Sequence, residues 1–342
     1  MLKKVLVTGG NGFLALHLIK QLLNNDYQVR TTVRSLAKKE QVLATLKKNQ
    51  TPHLDQLTFV EATLTTATGW TEAMADINYV LSVAAPVFVG PSKVAASTDQ
   101  VATAGIRRII QTAEKAGVKR IVMTANLGAV GFSNKDPYHI TTEADWTNAN
   151  EPGLSRYEKS KLLAEKSAWQ YLEQTHSPLE FVTINAGAML GPALDEHLSG
   201  SFGLLKNLLN PTTRVPNIAL NIVDVRTVAQ LHLRAMTSPV AANQRFLAVN
   251  DQPISMPEIV ALIKATRPEL APQLPMRSLP NWLIRLAAIF NQQAKEGRLL
   301  LALNHQVSNQ KAKRLLNWQP NDNKTTILSA LDTMQQNGQR QS

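Results

Sequence analysis

The sequence predicts an α/β protein built on a doubly wound parallel sheet, with a smaller, mostly helical lobe toward the C-terminus. Three observations carry this. Short, near-continuously apolar strands alternate with amphipathic helices through the first half of the chain, the pattern of a parallel sheet covered on both faces. A glycine-rich loop, Val7-Thr8-Gly9-Gly10-Asn11-Gly12-Phe13-Leu14-Ala15, joins the first strand to the first helix. Beyond Gly191 the periodicity loosens, and Pro211, Pro216, Pro239 and Pro253 cut the chain into short pieces.

Taken in order, residues 4–8 read as the first strand and 12–24 as the first helix. Residues 28–33 alternate as a second strand, and 57–61 and 79–85 are further strands. A helix from about residue 98 to 116 stops at Gly117, and 120–125 is the next strand. The polar stretch 131–152 reads as a loop, 154–175 as a long helix, and 179–185 and 245–249 as later strands. Shorter helices are expected at about 224–236, 256–266 and 281–291. Residues 1–190, with 219–250 returning to them, therefore form the expected sheet domain. Residues 191–218 and 251–342 form the expected substrate lobe over the sheet's carboxyl edge.

Composition narrows the function classes. Of 342 residues, 44% are apolar and 18% charged, which excludes a disordered chain. The net charge of +11 comes from 36 basic and 25 acidic residues. The cations are scattered, with small groups at Lys38-Lys39, Lys47-Lys48 and Lys311 to Arg314 and no run interleaved with aromatics. Such a charge suits nucleic acid, a membrane surface or an anionic ligand such as a phosphorylated cofactor, and the scatter argues against nucleic acid. The chain lacks cysteine, so no disulfide framework or thiolate metal site is expected. The seven histidines show no ligand spacing, and no metal is expected. No signal peptide is read at the N-terminus, and no apolar run approaches the ~18 residues of a membrane span. A soluble cytoplasmic protein, monomer or homodimer, is the expectation.

Two motifs carry chemistry. Gly9, Gly12 and Ala15 occupy a G-x-x-G-x-x-A loop in the strand–loop–helix context that binds a dinucleotide. Gly9 permits a tight turn, Gly12 lets backbone amides approach a pyrophosphate, and Ala15 lets helix and strand pack closely. The helix N-terminus adds partial positive charge. An acid at the end of the second strand would favour NAD. Here Arg34, Ser35 and Lys38 stand there instead, suited to the 2′-phosphate of NADP(H). The second motif is Tyr157 and Lys161, four apart on a helix and so on one face. An ammonium ~4 Å from a phenol is worth about 4 kcal/mol at an effective dielectric near 20. Lys161 is thus expected to depress the pKa of Tyr157, which would donate a proton to a carbonyl as hydride arrives. Lys161 could also bond the nicotinamide ribose.

Together these residues resemble the extended short-chain dehydrogenase/reductase family, and within it the group of dihydroflavonol 4-reductases, cinnamoyl-CoA reductases and microbial aldehyde or methylglyoxal reductases. Further markers are Val83-Ala84-Ala85-Pro86, Ala116 to Arg120, Asn185-Ala186-Gly187, Leu190-Gly191-Pro192 and Val223 to Arg226, spread over nearly the whole chain. The resemblance implies a Rossmann fold and an NADPH-dependent reductase of a small carbonyl substrate with a Ser/Thr–Tyr–Lys set. It further implies cofactor contacts from Gly9, Gly10, Asn11, Gly12, Phe13, Leu14, Arg34, Lys38, Ala84, Tyr157 and Lys161. Ala186 and Ala188, after the strand carrying Asn185, and Ser201 are added by the same resemblance.

The chain departs from the family pattern at three places. The family serine falls on Asn126, whose amide can still donate to a carbonyl oxygen, with Thr124 as the fallback. The adenine-pocket Ala-Asp-Leu reads Ala62-Thr63-Leu64, leaving Thr63 a weaker acceptor. The usual Asn-Pro-Gly reads Asn185-Ala186-Gly187.

Two other functions share these features. A catalytically silent NADP sensor is compatible with Asn126, though it has no need of Tyr157 and Lys161. A nucleotide-sugar epimerase or dehydratase shares the fold, though Arg34 argues against it. His17 reads as structural, and Asp224 and His232 as structural or substrate-side. The apolar run around Trp282, from Leu283 and Ile284 to Phe290, is either a substrate lid or lobe core.

Overall fold

The computed structural model describes residues 3–85, 95–196 and 198–339. Its first part runs β1 (Lys4–Val7), α1 (Phe13–Leu23), β2 (Gln28–Val33), α2 (Lys39–Lys48), β3 (Leu57–Glu61), α3 (Trp70–Met74), β4 (Tyr79–Ser82), α4 (Ala95–Lys115), β5 (Arg120–Asn126), α5 (Arg156–Thr175) and β6 (Glu180–Ala186). Next come β7 (Ala188–Leu190), α6 (Phe202–Leu208), β8 (Arg214–Pro216), β9 (Ala219–Leu220), β10 (Ile222–Asp224), α7 (Val225–Thr237) and β11 (Arg245–Ala248). The chain ends with β12 (Ile254–Ser255), α8 (Met256–Thr266), β13 (Arg277–Leu279), α9 (Asn281–Ala287), α10 (Gln292–Ala302), α11 (Gln310–Leu316) and α12 (Asn323–Gln339).

Seven strands pair in the order β11-β6-β5-β4-β1-β2-β3, every pair parallel. This is the doubly wound Rossmann order, and it reverses between β1 and β4. Alternation along each strand sends side chains to two faces. Val5 and Val7 pack with α1 and α7, while Leu6, Val80 and Ile121 pack with α4 and α5. Both faces are buried at the centre of the sheet, which is why β1 and β4 read as apolar runs, while β2 and the edge strand β3 carry polar residues.

Local chemistry explains where elements stop. β4 ends at Ser82, short of the expected residue 85, because the Val83 and Ala84 amides leave the ladder and donate to Thr8 Oγ1, both at 2.9 Å. Pro86 lies outside the described residues. Asp224 caps α7 rather than belonging to it, accepting from the Arg226 amide at 2.8 Å. Helix α2 was not expected from the sequence: of its ten residues only Val42 and Leu46 are buried, so its periodicity is faint.

The later segments do not form a core of their own. Phe202, Leu205, Ile259, Ile263, Trp318 and Ile327 join the apolar cluster that includes the α1 and α7 face of the sheet. Helix α11 and the turn after it return to α7: Trp318 Nε1 donates to Thr227 O at 2.8 Å, and Arg234 Nη1 donates to Leu316 O at 2.9 Å. The run around Trp282 is not lobe core. Ile284 of α9 is buried, but Trp282, Leu286, Ile289 and Phe290 are exposed, Phe290 to 88%. Among the described residues, no helix is long and apolar enough to cross a membrane, and no group of acids and histidines could hold a metal ion.

Candidate active site

The glycine loop sits at the point where the strand order reverses. Gly9 has φ +72°, a left-handed conformation that a side chain would strain. Its amide donates to Thr32 Oγ1 at 3.0 Å, and the Gly10 amide to Thr32 O at 2.8 Å. Any Cβ on Gly10 would overlap the Thr31 side chain, so the loop lies flat against β2. Across the crevice, Ala84 stands opposite Gly9, 3.2 Å from where a Cβ would project. Thr8 ties the two strand ends together through its hydroxyl. Gly12 is the N-cap of α1, whose first turn carries no acid, so the helix end keeps its positive potential. Asn11, Phe13 and Leu14 complete this end, with Phe13 and Leu14 buried.

Arg34 and Lys38 follow β2 and are exposed. Arg34 forms no ion pair with a described residue, while Lys38 Nζ donates to Gln41 Oε1 at 3.3 Å. Ser35 is engaged as the cap of the following 3₁₀ turn. The Thr63 hydroxyl bonds those of Thr65 at 2.9 Å and Thr66 at 3.1 Å, and Leu64 faces Gly105 of α4. On the far side, Phe202 stacks edge-on against Phe13 at 5.5 Å, and Ser201 precedes it as the N-cap of α6. Ala186 ends β6 and Ala188 opens β7, beyond the edge that carries Asn126.

Three of the four candidate catalytic residues come together. Asn126 ends β5 and caps a 3₁₀ turn, its Oδ1 accepting from the Gly128 amide at 2.5 Å. That bond fixes the amide's orientation and leaves Nδ2 to face Tyr157, whose phenol is hydrogen-bonded to the Asn126 side chain. Tyr157 stands in the first turn of α5, a helix started by Ser155, which accepts from the Glu158 amide at 3.3 Å. One turn on, Lys161 is buried and donates from Nζ to Thr124 O at 3.3 Å.

Thr124 is the exception. His232 Nδ1 lies 2.8 Å from Val228 O, a group that only accepts, so Nδ1 carries the hydrogen. Burial lowers the His232 pKa to about 4, so the ring is neutral and its Nε2 is an acceptor. The Thr124 hydroxyl, 2.8 Å from Nε2, therefore donates to His232 and has no proton left for a substrate. The fallback role expected for Thr124 is withdrawn, and His232 is structural. His17 is also structural: buried, with a pKa lowered to about 4, it donates from Nε2 to Pro192 O at 2.8 Å. Asp224 pairs with Arg226 at 2.5 Å and accepts from Asn321 at 3.0 Å.

The electrostatics also differ from expectation. Tyr157 is not pulled down by Lys161. Although the residue is 39% exposed, its phenol is crowded by protein atoms. That burial, and then the Glu158 carboxylate, raise its pKa above the usual value, partly offset by the Asn126 bond. Lys161 is turned to Thr124 O, and burial lowers its own pKa to about 8. The direction suits a proton donor: at neutral pH Tyr157 keeps its proton. Holding Lys161 as a buried ammonium, with a pKa of about 8 in place of 10.5, costs about 3 kcal/mol. The cost is complete below pH 8 and is relieved as pH rises toward 10.5, because the folded chain loses the proton first. Lys161→Met should accordingly raise the Tm of the unliganded protein by several degrees at pH 7, and by less at pH 9.5, while turnover is lost. Thermal unfolding at the two pH values checks this.

One member of the site escaped sequence reading. Glu165, a further turn along α5, is wholly buried and accepts from Asn185 Nδ2 at 2.7 Å, Thr183 Oγ1 at 2.9 Å and Arg245 Nε at 2.9 Å. Asn185 Nδ2 also donates to Asn126 O at 3.3 Å. The available signal was the four-residue spacing that joins Tyr157 to Lys161, continued once more.

A dinucleotide cradle at the strand switch and an Asn–Tyr–Lys set one strand away define an extended short-chain dehydrogenase/reductase. The chain belongs to the 3-beta hydroxysteroid dehydrogenase/isomerase family, whose sequence profile matches residues 6–266. Cinnamoyl-CoA reductase 2 of Arabidopsis thaliana is 30% identical over 275 residues, 78% of each chain. The NADPH-dependent methylglyoxal reductase of Saccharomyces cerevisiae is 25% identical over 298 residues, 80% of this chain and 85% of the relative. The fold is similar to that of yeast methylglyoxal/isovaleraldehyde reductase complexed with NADPH, with a TM-score of 0.82 at 24% identity over 98% of this chain and 99% of the other. Vestitone reductase from alfalfa superposes with a TM-score of 0.75 at 22% identity over the same shares.

Proposed function

We propose that this protein, an NADP-dependent oxidoreductase, reduces the carbonyl of a small aldehyde or ketone, with Tyr157 as the proton donor. The observation that carries the reading is the meeting of the Asn126 amide and the Tyr157 phenol above a buried Lys161. The names of the relatives, reductases of methylglyoxal and of a cinnamoyl thioester, support a carbonyl substrate.

The residues present fit the cofactor. The left-handed Gly9, the flat approach at Gly10 and an α1 start free of acids suit a pyrophosphate. Arg34, exposed at the end of β2, is the group to hold a 2′-phosphate, with Lys38 in support. A bound nicotinamide would supply hydride to the carbonyl carbon. Asn126 Nδ2 donates a hydrogen bond to the oxygen as negative charge grows there. Tyr157, protonated because its pKa lies high, transfers its proton to that oxygen. Lys161, cationic below about pH 8, stabilises the phenolate left behind.

NADPH consumption over a panel of aldehydes, diketones and β-keto esters tests the reading, and turnover of at least one is expected. Tight NADPH binding with no turnover across the panel would favour the silent sensor. Arg34→Ala tests the cofactor assignment. It is expected to weaken NADPH about 10- to 100-fold, the value of a charged hydrogen-bonded pair, and NADH by less than about threefold. Equal losses, measured by fluorescence titration, would remove Arg34 from the 2′-phosphate site.

A further inference from the structure

Tyr157, Lys161 and Glu165 stand at successive four-residue steps on α5 and share one face. The first two meet the reacting groups, while the third is sealed inside. We propose that Glu165 is the positioning residue of this site: its buried carboxylate holds Lys161 as an ammonium and, through Asn185, fixes the strand end from which Asn126 works. The inference rests on the roles given above to Tyr157 and Lys161.

The geometry supplies both arms. Glu165 accepts from Asn185, Thr183 and Arg245, and more distantly from Trp169 Nε1 at 3.5 Å. Those donors reach both carboxylate oxygens, Asn185 on Oε2 and Thr183, Arg245 and Trp169 on Oε1. Its partner Arg245 cannot swing away, because Nη1 donates to Glu143 O at 2.7 Å and Asp145 O at 2.9 Å and the guanidinium lies 3.6 Å from the Trp146 ring centre. The second arm is Asn185, whose Nδ2 divides between Glu165 Oε2 and Asn126 O. The carboxylate is thus two hydrogen bonds, both from Asn185 Nδ2, from the strand end that carries Asn126, and one helical turn from Lys161.

Glu158, one turn before Lys161 on α5, bears on Tyr157, and Glu165 is the acid that bears on Lys161. β4, β5 and α4 present Ser82, Met123, Ile106 and Ile109 there, and no acid among the described residues lines this space. His232, which reaches Thr124 from α7, is held neutral. Arg245 of β11 faces Glu165, and Tyr157 occupies the preceding turn of α5. An ion pair that served packing alone could sit anywhere in the core. This one sits directly behind the site's only buried ammonium among the described residues.

The test is Glu165→Gln, read first in the pH dependence of kcat/KM for NADPH, which reports the free enzyme. Activity requires charged Lys161, so the profile falls on its alkaline side. The expected result is an alkaline limb moved down by about one pH unit or more. Arg245→Gln breaks the same ion pair and should lower the Tm comparably without moving the limb down. Glu165→Asp keeps the charge and should leave the limb near its original place. The unliganded protein gives a reading independent of turnover: the stability advantage of Lys161→Met fades from about pH 8 upward, and in the Glu165→Gln background it should fade from a lower pH. A folded Glu165→Gln with both profiles unmoved would overturn the proposal, as would identical behaviour of the Gln and Asp variants. If Tyr157→Phe keeps full turnover, the catalytic reading fails instead, and the stability profiles still decide whether Glu165 holds the charge.

Discussion

Tyr157→Phe should reduce kcat by about 10²- to 10⁴-fold, the range over which a positioned proton donor accelerates a reaction. The substitution removes one oxygen from a residue in the first turn of α5 and leaves the helix cap at Ser155 in place. The phenol is no part of the glycine cradle, so the Kd for NADPH should stay within about threefold. KM for the carbonyl substrate should change little if the proton moves only in the transition state. The measurement is steady-state NADPH oxidation alongside fluorescence titration of the cofactor. Unchanged turnover in a correctly folded variant would end the proton-donor assignment. So would a loss confined to cofactor affinity.

Asn126→Ala is expected to lower kcat by about 10²- to 10³-fold, the loss seen when one oxyanion donor is removed. The side chain has two duties here. Its Nδ2 faces the Tyr157 phenol, and its Oδ1 holds the Gly128 amide at the start of the 3₁₀ turn. Losing the cap costs about 1 kcal/mol of stability, which a Tm measurement separates from the catalytic loss. Asn126→Ser offers the discriminating control. A serine both caps the turn and donates a hydrogen bond, and it should recover activity to within about tenfold of the original. If the alanine variant turns over at the parent rate, the amide takes no part in the chemistry.

The sheet and the motifs proposed for the site are legible in the sequence, because their logic is local. The loop at Gly9 and Gly12 and the pair at Tyr157 and Lys161 are fixed by short-range spacing, as is the sheet by its apolar strands. What escaped depended on long-range pairing. The Thr124 hydroxyl is spent on His232, a residue 108 positions away. Glu165 earns its role from Asn185 on one strand and Arg245 on another. The direction of the Tyr157 shift was misjudged for the same reason. Spacing places Lys161 on the right face, but only the packing turns its ammonium to Thr124 O.

The apolar cluster that runs unbroken from the glycine-loop helix through α6, α8 and Trp318 has an implication for how such proteins diversify. A substrate lobe with its own interior could be exchanged like a cartridge. Here the segment that would select the substrate supplies walls to the same interior that supports the cradle. New specificities must then arise by point replacement on the cleft-facing surfaces, since transplanting the lobe would leave both halves with an open seam.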